Sequence, residues 1–148
     1  MRPVSLGMLL LWSGIVLGGA TIADPIDPTG PCLNYDDPSI TLSGSVFTRI
    51  YFGPPNYGEN PAQDRREGAY LLLLDSPVCV NASAHPEQDN NSLERDVILI
   101  QLAAVTIQPE VIEKALGKRA TVRGLLYHRM TGHHRTQVLM DVPEIHVS

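Results

Sequence analysis

Residues that could bind an anion are concentrated near the C-terminal end of the chain. Strand alternation over residues 119–130 places Arg123, Tyr127 and Arg129 on one outward face. Arg135 extends this basic stripe at the following turn. Guanidinium groups bind carboxylates and phosphates through paired hydrogen bonds, so the stripe is a candidate partner-binding surface. The alternative is a solvated strand face whose arginines pair with carboxylates on neighbouring strands.

Histidines at the same end of the chain raise the question of a metal site, because neutral imidazole is a common zinc ligand. His133 and His134 are adjacent, and neighbours in an extended segment point to opposite sides, so we do not expect both to bind one ion. We expect one imidazole to hydrogen-bond the turn backbone and the other to face solvent. We therefore assign both to the partner-binding surface and predict no metal and no cofactor.

Enzyme motifs are missing from the sequence. It contains no Gly-x-Ser-x-Gly nucleophile elbow, and no glycine loop followed by the lysine that phosphate binding requires. Spacing alone does not bring Asp75, Asp141 and Glu144 together as a catalytic carboxylate pair. We predict no catalytic residues and a protein that is not an enzyme, with a metal-dependent hydrolase as a lower-ranked alternative.

The predicted elements have a recognisable order. They are strands at residues 40–52, 69–80, 97–105, 119–130 and 136–142, with a helix at residues 109–116 before the fourth strand. Pro109 suits the first helical position and Gly117 a C-cap. The order predicts a mainly β chain that forms a small five-stranded OB-like barrel with one short helix between strands three and four.

Long loops in such a barrel tend to carry function. The polar loop at residues 53–67 includes Tyr57, and we assign this tyrosine to the partner-binding surface together with the His-His turn. A second polar loop is predicted at residues 81–96.

The first residues have the layout of a secretory signal peptide. Arg2 precedes an apolar run at residues 6–17 and a small-residue stretch that ends at Ala23. We predict a signal peptide at residues 1–23, an extended lead-in at residues 24–39 and a single barrel domain at residues 40–148. The run is shorter than the roughly 20 residues of a membrane span, so we expect a periplasmic or secreted protein with no membrane anchor.

Two cysteines in an exported chain most simply pair with each other, because an oxidising compartment favours the bond. Cys32 and Cys79 are the two cysteines here. We predict that they form a disulfide that ties the lead-in to the second predicted strand. Two free buried thiols are the alternative.

Charge is unevenly distributed along the chain. The formal net charge is -5, and loss of Arg2 makes it one unit more negative. Residues 24–113 contain 14 acidic and 4 basic residues, whereas residues 114–148 contain 2 acidic and 6 basic residues. An acidic, exported chain is a poor candidate for nucleic-acid binding, which depends on phosphate neutralisation. The basic C-terminal part favours a protein or an anionic envelope component as the partner.

Several short segments resemble a bacterial exported family of unknown function with a C-terminal Gly-His-His-x-Thr-Pro-Val-like segment. Residues 132–140 read Gly-His-His-Arg-Thr-Gln-Val-Leu-Met, with Gln137 where the family has proline. Residues 42–44, 74–80 and 122–124 are also similar to that family. The resemblance implies an OB-like periplasmic domain with no established reaction.

Two functions fit these features. The first is a non-enzymatic periplasmic binding module for a protein or an anionic envelope component. The second is a periplasmic inhibitor or immunity protein that acts against a toxin or a cell-wall hydrolase, favoured by small size, export and a disulfide.

Overall fold

The computed structural model describes residues 32–148, so the expected signal peptide and the first part of the lead-in lie outside the described residues. The described chain is mainly β. Its elements are β1 (Leu33–Asn34), β2 (Thr41–Phe52), β3 (Arg66–Asn81), α1 (Pro86–Asp89), β4 (Glu94–Ala103), α2 (Pro109–Glu113), β5 (Arg119–His128) and β6 (Val138–Val147). In residues 32–148 no helix is long and apolar enough to cross a membrane.

Five of the strands close into a barrel. β2 pairs antiparallel with β3 and β5, β3 pairs antiparallel with β4, and β5 pairs antiparallel with β6. A short parallel pairing of β4 with β6 completes the circuit. The order and the helix between β4 and β5 confirm the predicted five-stranded OB-like barrel.

Gly44 lies where β2 contacts both of its neighbours. It is paired with Leu74 on β3 and with Ala120 on β5. A Cβ at this position would lie 2.1 Å from the carbonyl oxygen of Leu73. Only glycine allows this close approach, which explains the mid-strand glycine that the sequence pattern associated with barrel closure.

Helix α2 covers one end of the barrel, and the side chains of Ile112 and Ala115 are fully buried in the core. The sequence predicted a helix to Leu116, but α2 ends at Glu113 and tighter turns follow. The reason is docking to β2, because the N–H of Gly117 donates to the carbonyl of Val46 at 2.8 Å. Continued α-helix would carry that N–H away from the strand.

Other boundaries also differ from the sequence prediction. The loop predicted at residues 81–96 contains α1, and β4 begins within it at Glu94. The last strand runs on to Val147, because β5 supplies a partner along its whole length, as far as the Ala120–Val147 pair. The polar residues after Val142 therefore belong to a strand and not to a tail.

The predicted disulfide between Cys32 and Cys79 is confirmed, with the two Cα atoms 4.7 Å apart. It fixes β1 against the end of β3, where Leu33 pairs with Val80 in parallel register. Tyr35 follows, is buried, and donates its hydroxyl to the carbonyl of Ser92 at 2.8 Å. The last residues before the barrel are thus part of the packed structure.

Candidate functional site

Two loops meet at one end of the barrel. The first loop comprises residues 53–65 between β2 and β3, and the second loop comprises residues 129–137 between β5 and β6. Tyr57 and His133 pack edge to face with ring centroids 5.7 Å apart. A Cβ on Gly132 would lie 2.8 Å from the Tyr57 ring, so a larger residue at this position would displace the ring.

A carboxylate lies at the centre of this contact. Oε2 of Glu67 accepts hydrogen bonds from Nδ1 of His133 at 2.8 Å and from Nη2 of Arg135 at 2.9 Å. The hydrogen bond from His133 holds the pKa of Glu67 below its usual value, and the charges of His133 and Arg135 act in the same direction against partial desolvation. Glu67 is therefore a carboxylate that orders both loops. We call Tyr51, Tyr57, Glu67, His133 and Arg135 the loop cluster.

Arg135 is the most enclosed cation of the loop cluster, with 10% of its side chain exposed. Its guanidinium carbon lies 5.1 Å from the centroid of the Tyr51 ring and 5.8 Å from that of Tyr57. Cation–π contact with two rings and an ion pair with Glu67 hold the group in one orientation. A fixed guanidinium at a loop junction can receive an anionic group with little further ordering.

Hydrogen bonds from β4 hold the second loop in place. The side-chain oxygen of Gln101 accepts the N–H of Arg135 at 2.6 Å, and its Nε2 donates to the carbonyl of His133 at 3.3 Å. The backbone N–H of Gln101 donates to Oγ1 of Thr136 at 3.0 Å, and the Thr136 hydroxyl donates to the carbonyl of Val138 at 2.6 Å. These bonds fix the loop that carries the site. The sequence signal was Gln101, the one polar residue in an otherwise apolar predicted strand.

Thr136→Val is expected to lower the free energy of unfolding by about 1–3 kcal/mol. The change keeps the side-chain shape but leaves the part-buried N–H of Gln101 without its acceptor. Urea unfolding measures the difference. The matched control is Thr131→Val, because exposed Thr131 accepts only a 3.3 Å bond from the His133 N–H. Equal effects of the two substitutions would contradict the bracing role of Thr136.

His134 points away from the loop cluster. Its Nδ1 accepts the N–H of Met130 at 2.9 Å, and its ring packs edge to face on Tyr127 with centroids 5.7 Å apart. Burial lowers the pKa of His134, and the charges of His133 and Arg129 lower it further. The two adjacent imidazoles thus have different partners. His134 bonds the turn backbone, while His133, with 55% of its side chain exposed, holds Glu67.

The turn held by His134 is expected to loosen as the pH falls. As the pH falls, the imidazole of the unfolded chain is protonated first, because its pKa is higher than that of His134 in the folded protein. The contribution of neutral His134 to the free energy of unfolding is therefore present above about pH 6.5 and declines below it. Protonated Nδ1 can no longer accept the Met130 N–H. Amide exchange at Met130, corrected for intrinsic rates, should speed up between about pH 7 and pH 5 relative to the Gln137-bonded amide of Arg129. Constant protection of Met130 over that range would contradict the assignment.

The predicted basic stripe is divided by the structure. Its β5 part faces outward as expected, and Nη1 of Arg123 lies 3.9 Å from a Glu144 carboxylate oxygen. Arg119, on the same face at the start of β5, forms an ion pair with Asp75. This is the alternative in which arginines pair across neighbouring strands. Tyr127 is half-buried beside His134.

Arg129 differs from the arginines of β5. It follows the end of the strand, is exposed, and has no carboxylate oxygen within 4 Å among residues 32–148. It lines a groove of about 430 Å³ together with Arg95 and Arg135, and an adjoining groove of about 420 Å³ together with Gln137. Gln137 lines both grooves as well, so Arg129 lies at their junction.

His128 forms a separate, nearly buried cluster beneath Arg129. Its Nε2 lies 2.8 Å from Oε1 of Glu94, and its Nδ1 lies 3.2 Å from the side-chain nitrogen of Asn90. Asn90 also donates to the carbonyl of Arg129 at 2.7 Å. The cluster therefore positions the backbone that carries Arg129. Within residues 32–148 no three His, Cys, Asp or Glu side chains are grouped so that they could hold a metal ion.

Further basic and aromatic residues adjoin the loop cluster from the side of β2 and β3. The guanidinium carbon of Arg66 lies 3.8 Å from the Phe52 ring centroid, and that of Arg49 lies 5.9 Å from the Tyr51 centroid. The sequence grouped these arginines with the acidic part of the chain. Pairing of β2 with β3 instead places Phe52 opposite Arg66 and Tyr51 opposite Glu67, which brings them to this end of the barrel.

Half of this site lies in a segment shared with other proteins. Residues 99–146 match a family described as Domain of unknown function (DUF4431). The match covers about a third of the chain and runs from β4 through the second loop into β6. It supports the resemblance to an uncharacterised family for this segment. Comparison with curated proteins and with solved structures finds no match.

The matched segment supplies Gln101, His133, Arg135 and Thr136, whereas Tyr57 and Glu67 come from the part of the chain before it. The loop cluster is therefore assembled across the boundary of the matched segment. Contacts between the two loops, and not the matched segment alone, create the site.

Proposed function

We propose that the protein is an exported, periplasmic binding module that holds an anionic partner, a protein or an envelope component, beside the loop cluster. The observation that carries this proposal is that two arginines with different surroundings line the same groove. Arg135 is fixed by Glu67 and two tyrosine rings, while neighbouring Arg129 is exposed without a carboxylate partner among residues 32–148. One arginine is preorganised and the other is available, which suits recognition of a carboxylate or phosphate group.

The protonation chemistry of Glu67 in the loop cluster, and of His134 beside it, favours binding over proton transfer. A general acid at neutral pH needs a raised carboxyl pKa, whereas that of Glu67 is lowered. The Nδ1 atom of His134 is occupied by the Met130 N–H. Both groups therefore serve as fixed structural partners in a module that binds without catalysis.

Two features support export. The apolar run at residues 6–17 has the length of a signal-peptide core. A disulfide that pairs both cysteines of the chain persists best in an oxidising compartment such as the periplasm. The resemblance of residues 132–140 to an exported bacterial family agrees with this location.

The test compares the purified wild type with two variants as baits in bacterial periplasmic extract and with phosphatidylglycerol vesicles. Arg129→Gln should weaken capture of the anionic partner by about tenfold or more, because it removes an available guanidinium. Arg123→Gln is the matched control, since Arg123 already lies beside Glu144. Capture should also weaken as salt rises. Equal capture by all three proteins would refute the proposal.

A further inference from the structure

β4 has one edge that is only partly paired. Its pairing with β6 covers Gln101, Leu102 and Ala103 and extends no further toward Glu94 within the described chain. At the last paired position the Gln101 N–H donates to Oγ1 of Thr136, a residue that precedes β6. β4 is therefore paired with β6 near its C-terminal end and is not paired with β6 along its N-terminal part.

The backbone groups of Leu99 face the unpaired side of β4. The N–H of Gln101 faces the β6 side, and backbone groups two residues apart along a strand face the same side. The N–H and C=O of Leu99 therefore point into the groove of about 430 Å³ that separates β4 from the second loop. A free sheet edge of this kind is a template for another extended chain.

The groove is lined by apolar residues and by charged residues of both signs. Val97, Ile98 and Leu99 line it from β4, and Val138 lines it from the other side. The N–H of Arg135 donates to the side chain of Gln101, which places this residue near Leu99, while its guanidinium pairs with Glu67. Asp96 lies toward the other end, where a positive φ of 53° ends the regular strand alternation.

The geometry points to β-strand addition: an extended peptide segment of a partner protein pairs with the Leu99 edge of β4 and places an acidic group against Arg129 and Arg135. Main-chain hydrogen bonds to Leu99 would supply affinity, and the arginines would select for the carboxylate. The acidic group is required where Arg129 and Arg135 line the groove, whereas Glu94 and Asp96 repel one near the start of β4. This inference rests on the proposed function and names its partner as a polypeptide.

The test is selection of short random peptides displayed against the purified protein. Enriched peptides should carry one acidic residue among apolar, strand-forming residues. A selected peptide should slow amide exchange at Leu99, and N-methylation of its backbone at alternate positions should weaken binding by about tenfold or more. Arg129→Gln should weaken it similarly and Arg123→Gln should not.

Three results would overturn strand addition. They are a failure to enrich any peptide, binding that is insensitive to N-methylation, and protection of Leu99 by a dimer of this chain in the absence of peptide. If the phosphatidylglycerol vesicles still distinguish Arg129→Gln from Arg123→Gln, strand addition alone has failed and the proposed function stands. If neither probe distinguishes them, both have failed.

Discussion

Replacing Cys32 and Cys79 together by alanine is expected to lower the free energy of unfolding by about 4 kcal/mol. The bond closes a loop with a sequence separation of 47 residues, and loop-closure entropy gives a value of this size. The native state also loses the constraint that holds β1 against β3 and Tyr35 in the core. Urea unfolding of the variant and the oxidised wild type measures the difference.

The control for this prediction is the wild-type protein with its disulfide reduced. Reduction removes the same constraint without changing any side-chain carbon. The urea midpoint of the reduced wild-type protein should therefore lie close to that of the double variant. A double variant within about 1 kcal/mol of the oxidised protein would show that β1 contributes little to the stability of the barrel.

Replacing Arg135 by glutamine is expected to weaken partner binding by about 2 kcal/mol, roughly 30-fold. The change removes the guanidinium that lies against Tyr51 and Tyr57 and leaves Glu67 with the hydrogen bond from His133. Binding is weakened both because a cation is gone and because Glu67 holds the second loop through His133 alone. Titration of the selected acidic peptide by calorimetry measures the affinity.

Arg135→Lys separates these two causes. Lysine keeps the charge but lacks the planar fork that stacks on the rings and pairs with Glu67. We expect the lysine variant to bind at an affinity between those of wild type and Arg135→Gln. If Arg135→Gln binds with wild-type affinity, Arg135 is not part of the binding site.

The barrel could be predicted because its signals are local. Alternation along β5 correctly placed Arg123 and Tyr127 on the outer face, and Pro109 marked the start of α2. The end of α2 could not be predicted, since it depends on the bond from Gly117 to Val46, a residue of β2. Such long-range contacts leave no periodic trace in the sequence.

The candidate site was only partly predictable for the same reason. The sequence singled out Tyr57, His133 and Arg135 by residue type, but Glu67 was taken as the end of a polar loop. Glu67 and Arg135 are 68 positions apart and meet because β3 begins at Arg66 and the second loop folds back over Gln101. The division of the stripe into paired Arg123 and available Arg129 also depends on a neighbouring strand, through Glu144.

The most direct test of the anionic-partner site is residue-by-residue mapping of amide chemical shifts in isotope-labelled protein titrated with phosphatidylglycerol nanodiscs and, separately, with a selected acidic peptide. For the probe that binds, we expect the shift changes to concentrate at Tyr57, Arg129 and Arg135 and to shrink as salt is raised. Changes centred instead on Arg123 and Glu144, or on α2 at residues 109–113, would contradict it.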